Sequence, residues 1–571
     1  MGRDRIGGVW VAAMSTWGGG GLLRAVAEDG TPAGPVERVP DLAAAVAARE
    51  MGAGGGGPPR WIWPATAELY PGLLRAGVRV GRCHDLALTE ALLLGYDGRW
   101  GEARALPAAW ARLAGQPVPP DPPPRGREIQ PVLFEPEPGG GLPDGVDPLD
   151  AVLAVYTDQL RRVAAVEQPG RMRLLVAAES SGALVAAEMG HVGLPWRADV
   201  HDALLTEALG PRPVGGARPP RLAELAEQVV AAFGGRPVNP DSPADLLRAF
   251  ARVGITLTTT RSWALRDVDH PAVPVLAAYK ELSRLHAANG WAWLESWVTD
   301  GRFRPEYVVG GVVSGRWASR GGGALQIPRS ARRAVVADPG WVLVVADAGQ
   351  LEPRILAAVS GDPGMIAAAG PDDMYAALAE QAFGGDRAKA KLGLLSAMYG
   401  GVSGGAGELL AVLRRRFPVA VGYVETAARA GEEGRLVRTH LGRTCPPPGA
   451  TWWATRSAPD DAVGGAGGAR RAGQAARDRG RFTRNFVVQG TAAEWALVLL
   501  AALRQRLAGT PAELVFFQHD EVVVHCPCDA AGRVADAVVE AGAQARRLLF
   551  GDTAVHLPLS AHVVDCYADA K

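Results

Sequence analysis

Two aspartates, Asp347 and Asp520, each come at the end of an apolar run that is typical of a buried β-strand. The first run covers residues 341–346, and the second covers residues 514–519. A further apolar run, 522–524, follows Asp520 closely, as in a β-hairpin. Two buried strands that bring carboxylates to one point can bind two divalent metal ions ~3.5–4 Å apart. Such a pair clamps the attacking and leaving oxygens of a phosphoryl transfer.

A third segment between the two aspartates has helical spacing. Arg387, Lys391, Leu395 and Tyr399 are four residues apart, so they share one stripe of a helix. The stripe suits a nucleotide, since cations can bind a triphosphate while the ring and the aliphatic side chain contact base and sugar. The chain has only four lysines, and Lys389 and Lys391 in this helix are two of them. A compact ammonium is used differently from the planar guanidinium that supplies most of the other positive charges.

Five ordered segments resemble the motifs of family A DNA polymerases, the bacterial DNA polymerase I type. Residues 347–354 (DAGQLEPR) are similar to motif A, residues 387–400 to the motif B helix, and residues 519–521 (HDE) to motif C. Residues 314–328 resemble T-G-R-L-S-S…L-Q-N-I-P, and residues 481–494 resemble the family's R-x3-N…Q-G-T-A-A-D segment. Among its members, the chain resembles most the short actinobacterial proteins described as bifunctional 3′–5′ exonuclease/polymerase.

The resemblance implies a two-metal nucleotidyl transfer from dNTPs to a primer 3′-hydroxyl on a DNA template. Asp347, Asp520 and the backbone carbonyl of Ala348 would bind two Mg²⁺ ions. Arg387 and Lys391 would bind the incoming triphosphate, and Lys391 would also act in catalysis by protonating the leaving pyrophosphate.

The resemblance also implies how the nucleotide is recognised. Tyr399 would stack at the base-pair site with Glu352 beside it, and together they would leave no space for a ribose 2′-hydroxyl. Gln350 and Leu395 would complete the dNTP site. Leu395 stands where the family usually has an aromatic residue, so selection at the 3′ position is expected to differ.

Primer-template contacts form the third implied group. The expected DNA-binding residues are Arg316, Gln326, Arg481, Asn485, Gln489 and His519. Arg316 and Gln489 would bind minor-groove acceptors, which all correct base pairs share. A purely structural role is the alternative for Arg481, Asn485 and Gln326. The alternative for His519 is an ordinary histidine in a turn. Of two further residues, Glu521 is expected behind the metals, and Arg354 as a structural ion-pair partner.

The expected fold is α+β and multidomain. A degenerate RNase H-like exonuclease domain (1–165) would precede a right-hand polymerase with a helical thumb (166–300) and palm and fingers (301–571, fingers about 365–450). Proofreading needs an acidic cluster for metals, yet the first strand region 7–15 has no acidic residue. Leu160 stands where the family has an aspartate after Tyr156. The first domain is therefore predicted to be a scaffold without 3′–5′ exonuclease activity.

Composition restricts the remaining possibilities. The 571 residues have a formal net charge of zero. Residues 301–571 nevertheless carry 31 basic and 26 acidic side chains, so a positive field can surround the motifs. The five cysteines do not form a disulfide or zinc pattern, which favours a reduced cytoplasm. We expect a monomer without a membrane span, because no run of ~18 apolar residues is present.

Low-complexity stretches and periodicity suggest the organisation between the motifs. Residues 117–148 are rich in Pro and Gly and predict a linker, and residues 457–480 predict a flexible loop. Apolar periodicity predicts several helices between the end of the first domain and residue 300. These helices are expected over 150–166, 174–208, 221–234, 243–253 and 273–297.

Departures from the family pattern leave two alternative functions open. Ala348, Gly349 and Leu395 replace usual motif residues, and Tyr375 stands where a histidine would touch phosphate. A polymerase-fold protein that binds primer-template as a scaffold but catalyses poorly is therefore one alternative. An RNA-synthesising relative is the other, although Glu352 argues against it. The leading hypothesis is a DNA polymerase for repair or gap filling.

Overall fold

The computed structural model describes residues 10–52, 58–123, 141–400, 406–457 and 466–570. These residues form many helices and four β-sheets, which confirms the α+β class. Most of the expected linker lies outside the described residues, as do residues 458–465 of the expected loop.

Residues 10–165 build a five-stranded sheet covered by helices on both faces. Its strands are β1 Trp10–Ser15, β2 Gly21–Val26, β3 Glu37–Val39, β4 Arg60–Trp63 and β5 Arg82–Asp85. The order is β3-β2-β1-β4-β5, with the first three strands antiparallel and the last three parallel. The helices are α1 Leu42–Glu50, α2 Thr66–Arg75, α3 Leu86–Tyr96, α4 Leu106–Leu113 and α5 Pro148–Ala165. Trp61 and Trp63 pack in one cluster and Ile62 in another, because alternate residues face opposite sides of a sheet.

Residues 169–320 are mostly helical. The helices are α6 Pro169–Val192, α7 Ala198–Leu209, α8 Pro220–Ala232, α9 Pro243–Arg252, α10 Ser262–Leu265, α11 Ala272–Asn289 and α12 Trp291–Trp297. Five short strands join this region to the rest: β6 Leu194–Pro195, β7 Val298–Thr299, β8 Arg302–Phe303, β9 Glu306–Val308 and β10 Ala318–Arg320. The single helix expected over 174–208 is two helices, since the chain turns at Gly193 with a φ of 80°.

The remaining residues surround a four-stranded antiparallel sheet. Its strands are β11 Trp341–Ala348, β12 Glu513–Gln518, β13 Glu521–Pro527 and β14 Leu559–Val564, in the order β12-β13-β11-β14. The helices are α13 Leu351–Ser360, α14 Pro363–Ala368, α15 Met374–Ala382, α16 Arg387–Tyr399, α17 Ala406–Arg416, α18 Pro418–Glu432, α19 Ala450–Ser457, α20 Ala466–Leu507 and α21 Ala531–Phe550. The predicted strand, hairpin and motif B helix are therefore confirmed.

Helix α20 corrects the prediction of a flexible loop over 457–480. Residues 466–480 belong to this 42-residue helix, because alanine and arginine favour helix and the turns around Ala476 and Gly480 are buried. From Gly468 to Leu507 the helix is long and apolar enough to cross a membrane, with a mean hydropathy of 1.7 in its most apolar window. That window is 89% buried within the protein, as in a core helix.

Arg504 of α20 joins the first sheet to the rest of the protein. Its Nη1 donates to the carbonyl of Gly81 at 2.8 Å, and its Nη2 donates to the carbonyl of Val80. The same guanidinium binds Glu188 of α6, with Nε–Oε2 at 2.9 Å and Nη2–Oε1 at 2.7 Å. Tyr70 of α2 donates its hydroxyl to Glu188. Three elements thus share one nearly buried ion pair.

Arg504→Ala is expected to lower the free energy of unfolding by about 3–5 kcal/mol, because Glu188 would keep a buried charge without its partner. Denaturant titration followed by circular dichroism measures the loss. Arg221→Ala is the control, since the Arg221–Glu224 pair is more than half exposed on both sides and is worth less than about 1 kcal/mol. Equal losses in the two variants would contradict this role of Arg504.

Candidate active site

Asp347 lies on β11, and Asp520 lies in the turn that joins β12 to β13, the strand next to β11. In the β11–β13 register Asp347 is opposite Glu521, and the amide of Ala348 donates to the carbonyl of Asp520 at 3.1 Å. The strand before Asp347 is buried from Val342 to Ala346, whereas both aspartates are half-buried. The sequence predicted that the two aspartates lie near each other, and the structure places their backbones side by side through the hydrogen bond between Ala348 and Asp520. No cluster of three or more His, Cys, Asp or Glu with metal-binding geometry occurs among the described residues.

Two residues beside the aspartates adopt left-handed backbone conformations. His519 has a φ of 60° and Gln350 a φ of 55°. Such conformations cost free energy in non-glycine residues and concentrate at functional sites. Partial burial, together with the charge of Arg316, lowers the pKa of His519.

A cleft of about 360 Å³ opens next to Asp520. Seven predicted site residues line it: Arg316, Gln350, Glu352, Leu395, Tyr399, His519 and Asp520. Leu351, Pro353, Tyr375, Ala492 and Ala493 complete its wall. Motifs that are far apart in the sequence are thus brought to one concave surface.

Glu352 is the centre of a hydrogen-bonded group in this cleft. Arg316 donates Nη2 to Glu352 Oε1, and Tyr399 donates its hydroxyl to Glu352 Oε2. Burial and the neighbouring carboxylate raise the pKa of Tyr399 to about 12, against a smaller opposing effect of a hydrogen bond with Gln489. The ring and the carboxylate therefore form one fixed wall.

The two cations of α16 contact Tyr375 and the end of α15. The guanidinium of Arg387 lies 5.7 Å from the Tyr375 ring centroid, and Lys391 Nζ lies 5.9 Å from it. Arg387 Nε donates to Asp373 at 2.8 Å. Because both side chains of this ion pair are more than 40% exposed, the pair is weak enough for an anion to replace it.

Gln350 is a bridge within the protein. Its Nε2 donates to Asp373 Oδ1 at 2.9 Å, and its Oε1 accepts from the amide of Met374 at 2.8 Å. Burial opposes ionisation of Asp373, yet the hydrogen bonds from Arg387, Gln350 and an α15 amide outweigh it and lower its pKa to about 2. Gln350 thus links the first motif to the helix before the cations.

The expected DNA-binding residues have different surroundings. Arg481 is exposed and donates to Asp478. Gln489 and Asn485 lie on α20, and Asn485 Oδ1 is buried without a hydrogen-bond partner among the described residues. The side chain of Gln326 lies outside the part that the structure describes.

Arg354 is a structural residue, but its hydrogen-bond partners are not the carboxylates of an ion pair. The fully buried guanidinium donates to five backbone carbonyls, which belong to Gly349, Ala369, His556, Pro371 and Asp372. A planar group with five donors can bind several loops at once. The guanidinium therefore fixes the turn after Asp347 rather than neutralising an acid.

Glu521 is buried on β13, opposite Asp347. Its carboxylate accepts from the hydroxyl of Tyr567 and lies 3.7 Å from Arg332. Burial, followed by the charge of Glu521 and a smaller effect of Asp347, raises the pKa of Tyr567. Glu521 therefore adds negative charge close to Asp347 without entering the cleft.

A hairpin over residues 437–445 supports the cleft, and the sequence reasoning missed it. Thr439 donates its hydroxyl to the fully buried Glu494, whose other oxygen accepts from the amide of Leu441 at 3.0 Å. Arg443 binds Glu179 of α6 at 2.8 Å. The only sequence feature that could have indicated this hairpin was Glu494, the acidic residue at the end of the 481–494 motif.

This hairpin touches the residues that precede Arg316 and follow Gln489. A Cβ on Gly315 would lie 2.3 Å from Arg443 Nε, and a Cβ on Gly490 would lie 2.3 Å from Thr439 Cγ2. Gly315 also has a φ of 86°, so only glycine fits there. The hairpin thus sets the positions of Arg316 and Gln489 through close contacts with the neighbouring glycines.

Comparison with known proteins identifies the family. The model of DNA polymerase family A matches residues 219–568. This range covers more than half of the chain, including every site residue described above. The chain belongs to DNA polymerase family A.

Curated relatives in this polymerase family are about a quarter to a third identical. DNA polymerase I of Chloroflexus aurantiacus is 29% identical over 354 residues, which are 54% of this chain and 35% of the relative. The thermostable DNA polymerase I of Thermus thermophilus is 29% identical over 329 residues, which are 52% of this chain and 36% of the relative. The match thus spans about a third of the length of these relatives.

A solved structure has the same fold over nearly the whole chain. The POL domain of Pol1 from M. smegmatis, in complex with DNA primer-template and dNTP, superposes with a TM-score of 0.69 at 21% identity. The match covers 99% of this chain and 96% of that domain. The family resemblance is therefore confirmed, while a particular closeness to short actinobacterial members stays a prediction.

Glu494 should make the free energy of unfolding of this protein depend on pH. Burial raises its pKa from 4.5 to about 7. The folded state therefore holds a proton that the unfolded state has released, so the free energy of unfolding falls as pH rises through this window. Relative to Glu494→Gln, the wild type should lose on the order of 3 kcal/mol between pH 4.5 and 7.

Urea titrations at several pH values measure this difference. Glu408→Gln, which changes an exposed acid on α17, serves as the control and should retain the pH dependence of the wild type. A Glu494→Gln variant with the same slope as the wild type would show that the carboxyl is already ionised in the folded protein.

Proposed function

We propose that this chain is a template-directed DNA polymerase that adds dNTPs to a primer 3′-hydroxyl. One observation carries the proposal: Asp520, whose carbonyl bonds to the residue after Asp347, lines a cleft whose wall is the Glu352–Arg316–Tyr399 group. Family membership and the described complex of the M. smegmatis domain with primer-template and dNTP support the same activity. Primer-template DNA and dNTPs are the proposed partners of a cytoplasmic monomer.

The donor set fits divalent magnesium. The carboxylates of Asp347 and Asp520 and the carbonyl of Ala348 are hard oxygen ligands, which Mg²⁺ prefers. The negative charge of Glu521 nearby adds to the attraction for a cation. When bound, two such ions lower the pKa of the primer hydroxyl and stabilise the leaving pyrophosphate.

The protein's own residues place the substrates. Arg387 and Lys391 bind the triphosphate as it displaces Asp373 from Arg387, and Lys391 supplies a proton to the pyrophosphate oxygen. Tyr399 stacks at the nascent pair, while Glu352 occupies the space under the sugar and excludes a 2′-hydroxyl. Arg316 and Gln489 accept only a correctly shaped pair, because they bind minor-groove acceptors that all correct pairs present.

A polymerase site at this position divides the chain into the thumb, palm and fingers of a right-hand polymerase. We propose residues 166–300 as the thumb and residues 301–571 as palm and fingers, with the fingers about 365–450. DNA-binding roles are further proposed for Gln326, Arg481, Asn485 and His519. We further propose a role in DNA repair or gap filling, which agrees with a polymerase that lacks proofreading.

The first domain is proposed to be an exonuclease-like scaffold without 3′–5′ activity. Where a metal cluster would need acids, β1 has none, and Tyr156 of α5 packs against Trp10 and His84 at centroid distances of 5.8 and 4.9 Å. Among the described residues of this region, two acids are buried, and both have structural partners: Asp85 caps α3 through the amide of Leu88. Glu90 binds Arg112 and Arg162, each at 3.0 Å. None of these groups is placed to hold two metals.

Primer extension with Mg²⁺ tests the polymerase proposal. Asp347→Ala and Asp520→Ala should each slow extension by about a thousandfold or more, because each removes a metal ligand and several kcal/mol of transition-state stabilisation. Asp536→Ala, on the exposed side of α21, is the matched control and should extend at the wild-type rate.

Two results of this experiment would overturn parts of the proposal. A wild-type protein that binds primer-template tightly but does not extend it would be a scaffold and not an enzyme. A lane without dNTPs should contain primer of unchanged length; shortening there would show that the first domain is a working exonuclease.

Glu352→Ala tests the selection of the sugar. Loss of the carboxylate opens the space under the sugar and releases Tyr399, so the preference for dNTP over rNTP should fall by about 10–100-fold. Single-nucleotide insertion kinetics measure kcat/KM for both substrates. Glu306→Ala is the control, since Glu306 is also paired with an arginine, Arg320, but is half exposed. An unchanged preference in Glu352→Ala would remove Glu352 from this role.

A further inference from the structure

A basic surface with two tryptophans lies outside the cleft, where α19 packs on the first turns of α20. Helix α19 has no buried residue, and Trp453 is 46% exposed. The guanidinium of Arg456 lies 5.5 Å from the ring centroid of Trp452. Arg470 and Arg471 are exposed on α20. These five residues form what we call the Trp–Arg platform.

The two indole rings of the platform are held in place by contacts with α20 and with Gly434. Trp452 Nε1 donates to the carbonyl of Ala475 at 3.0 Å. The rings of Trp452 and Trp453 meet edge to face, with centroids 4.7 Å apart and planes at 90°. A Cβ on Gly434 would lie 2.5 Å from Trp453 Cη2, so this ring is braced on one side. A half-exposed ring that is already fixed loses little entropy when a flat group stacks on it.

The charge around the platform is strongly positive. Residues 466–484 contain six arginines and one acid, Asp478. Arg456 adds a further positive charge. Aromatic rings beside a basic track bind single-stranded nucleic acid, because bases stack on the rings while cations neutralise phosphates.

The platform continues from the proposed polymerase cleft. A Cβ on Gly400, directly after Tyr399, would lie 2.8 Å from Arg481 Cγ. Ala475, which holds Trp452, precedes Arg481 by less than two turns of α20, or ~9 Å along the helix axis. That distance corresponds to about three nucleotides at 3.4 Å per nucleotide.

We propose that the Trp–Arg platform binds the single-stranded 5′ overhang of the template. An unpaired base stacks on Trp453, and the phosphates beside it contact Arg456, Arg470 and Arg471. The proposal rests on the polymerase function, since a primer-template must occupy the cleft. The overhang is the favoured occupant, because Arg481 of α20 lies between Gly400, which follows Tyr399 of the proposed cleft, and Ala475, which holds Trp452 of the platform.

Binding of two primer-templates tests the platform without catalysis. One carries a one-nucleotide overhang, too short to reach Trp453, and the other carries eight nucleotides. Fluorescence anisotropy without dNTP gives both Kd values. The wild type should bind the long overhang about tenfold more tightly, as a stacked base predicts. Trp453→Ala should abolish this ratio, whereas Trp100→Ala, which changes a 43% exposed tryptophan of the first domain, should retain it.

The arginines are tested by salt dependence. The double variant Arg470→Ala/Arg471→Ala should reduce the slope of log Kd against log salt by ~1.4 for the long overhang, since two phosphate contacts to a single strand are lost. Circular dichroism confirms that each variant is folded.

Two outcomes would overturn the platform. They are equal affinity of the wild type for both overhangs, and an unchanged ratio in Trp453→Ala. Competition by polyglutamate that is equally strong in Trp453→Ala and wild type would point to a non-specific basic surface instead. Failure of the polymerase proposal is distinguishable, because it would show as no extension of the one-nucleotide substrate, on which the platform has no effect.

Discussion

The register of the two central strands is the constraint on which the site depends. Asp347 pairs with Glu521 across β11 and β13, and the amide of Ala348 bonds to the carbonyl of Asp520. A slip of one residue would turn every side chain of a strand to the opposite face. The buried run before Asp347 prevents this slip, because it would expose valines and leucines. Apolar packing thus fixes where Asp347 lies relative to Asp520.

Helix α20 transmits this placement to the rest of the molecule. One straight element carries Asn485 and Gln489 near the cleft, Glu494 under the hairpin 437–445, and Arg504 at the contact with the first domain. Because a helix is stiff over several turns, these contacts cannot move independently. The first domain is therefore part of the support of the cleft, whether or not it retains any chemistry of its own.

Charged residues are buried in the contacts of α20 that support the cleft, whereas the ion pair beside the cleft is substantially exposed. Glu494 and Arg504 are nearly or fully buried and have several hydrogen bonds each, so losing one partner leaves a costly buried group. Arg387 and Asp373 are substantially exposed and form a weak pair. The support is thus rigid, while the residues that would meet a charged substrate can exchange partners. The same principle applies to the exposed arginines beside Trp453.

The sequence by itself determined the family, the strands that carry Asp347 and Asp520, and the stripe of Arg387, Lys391, Leu395 and Tyr399. The strands and the stripe are local features, because an apolar run or a spacing of four residues follows from the period of a strand or helix. It failed over residues 466–480, where the glycines suggested a loop, because packing of α20 against its neighbours makes this stretch helical. Only the tertiary structure decided that Arg354 binds five carbonyls, that Gln350 bridges to Asp373, and that Arg443 packs on Gly315. Such contacts join residues distant in the chain, and their existence depends on how whole elements pack rather than on any local pattern.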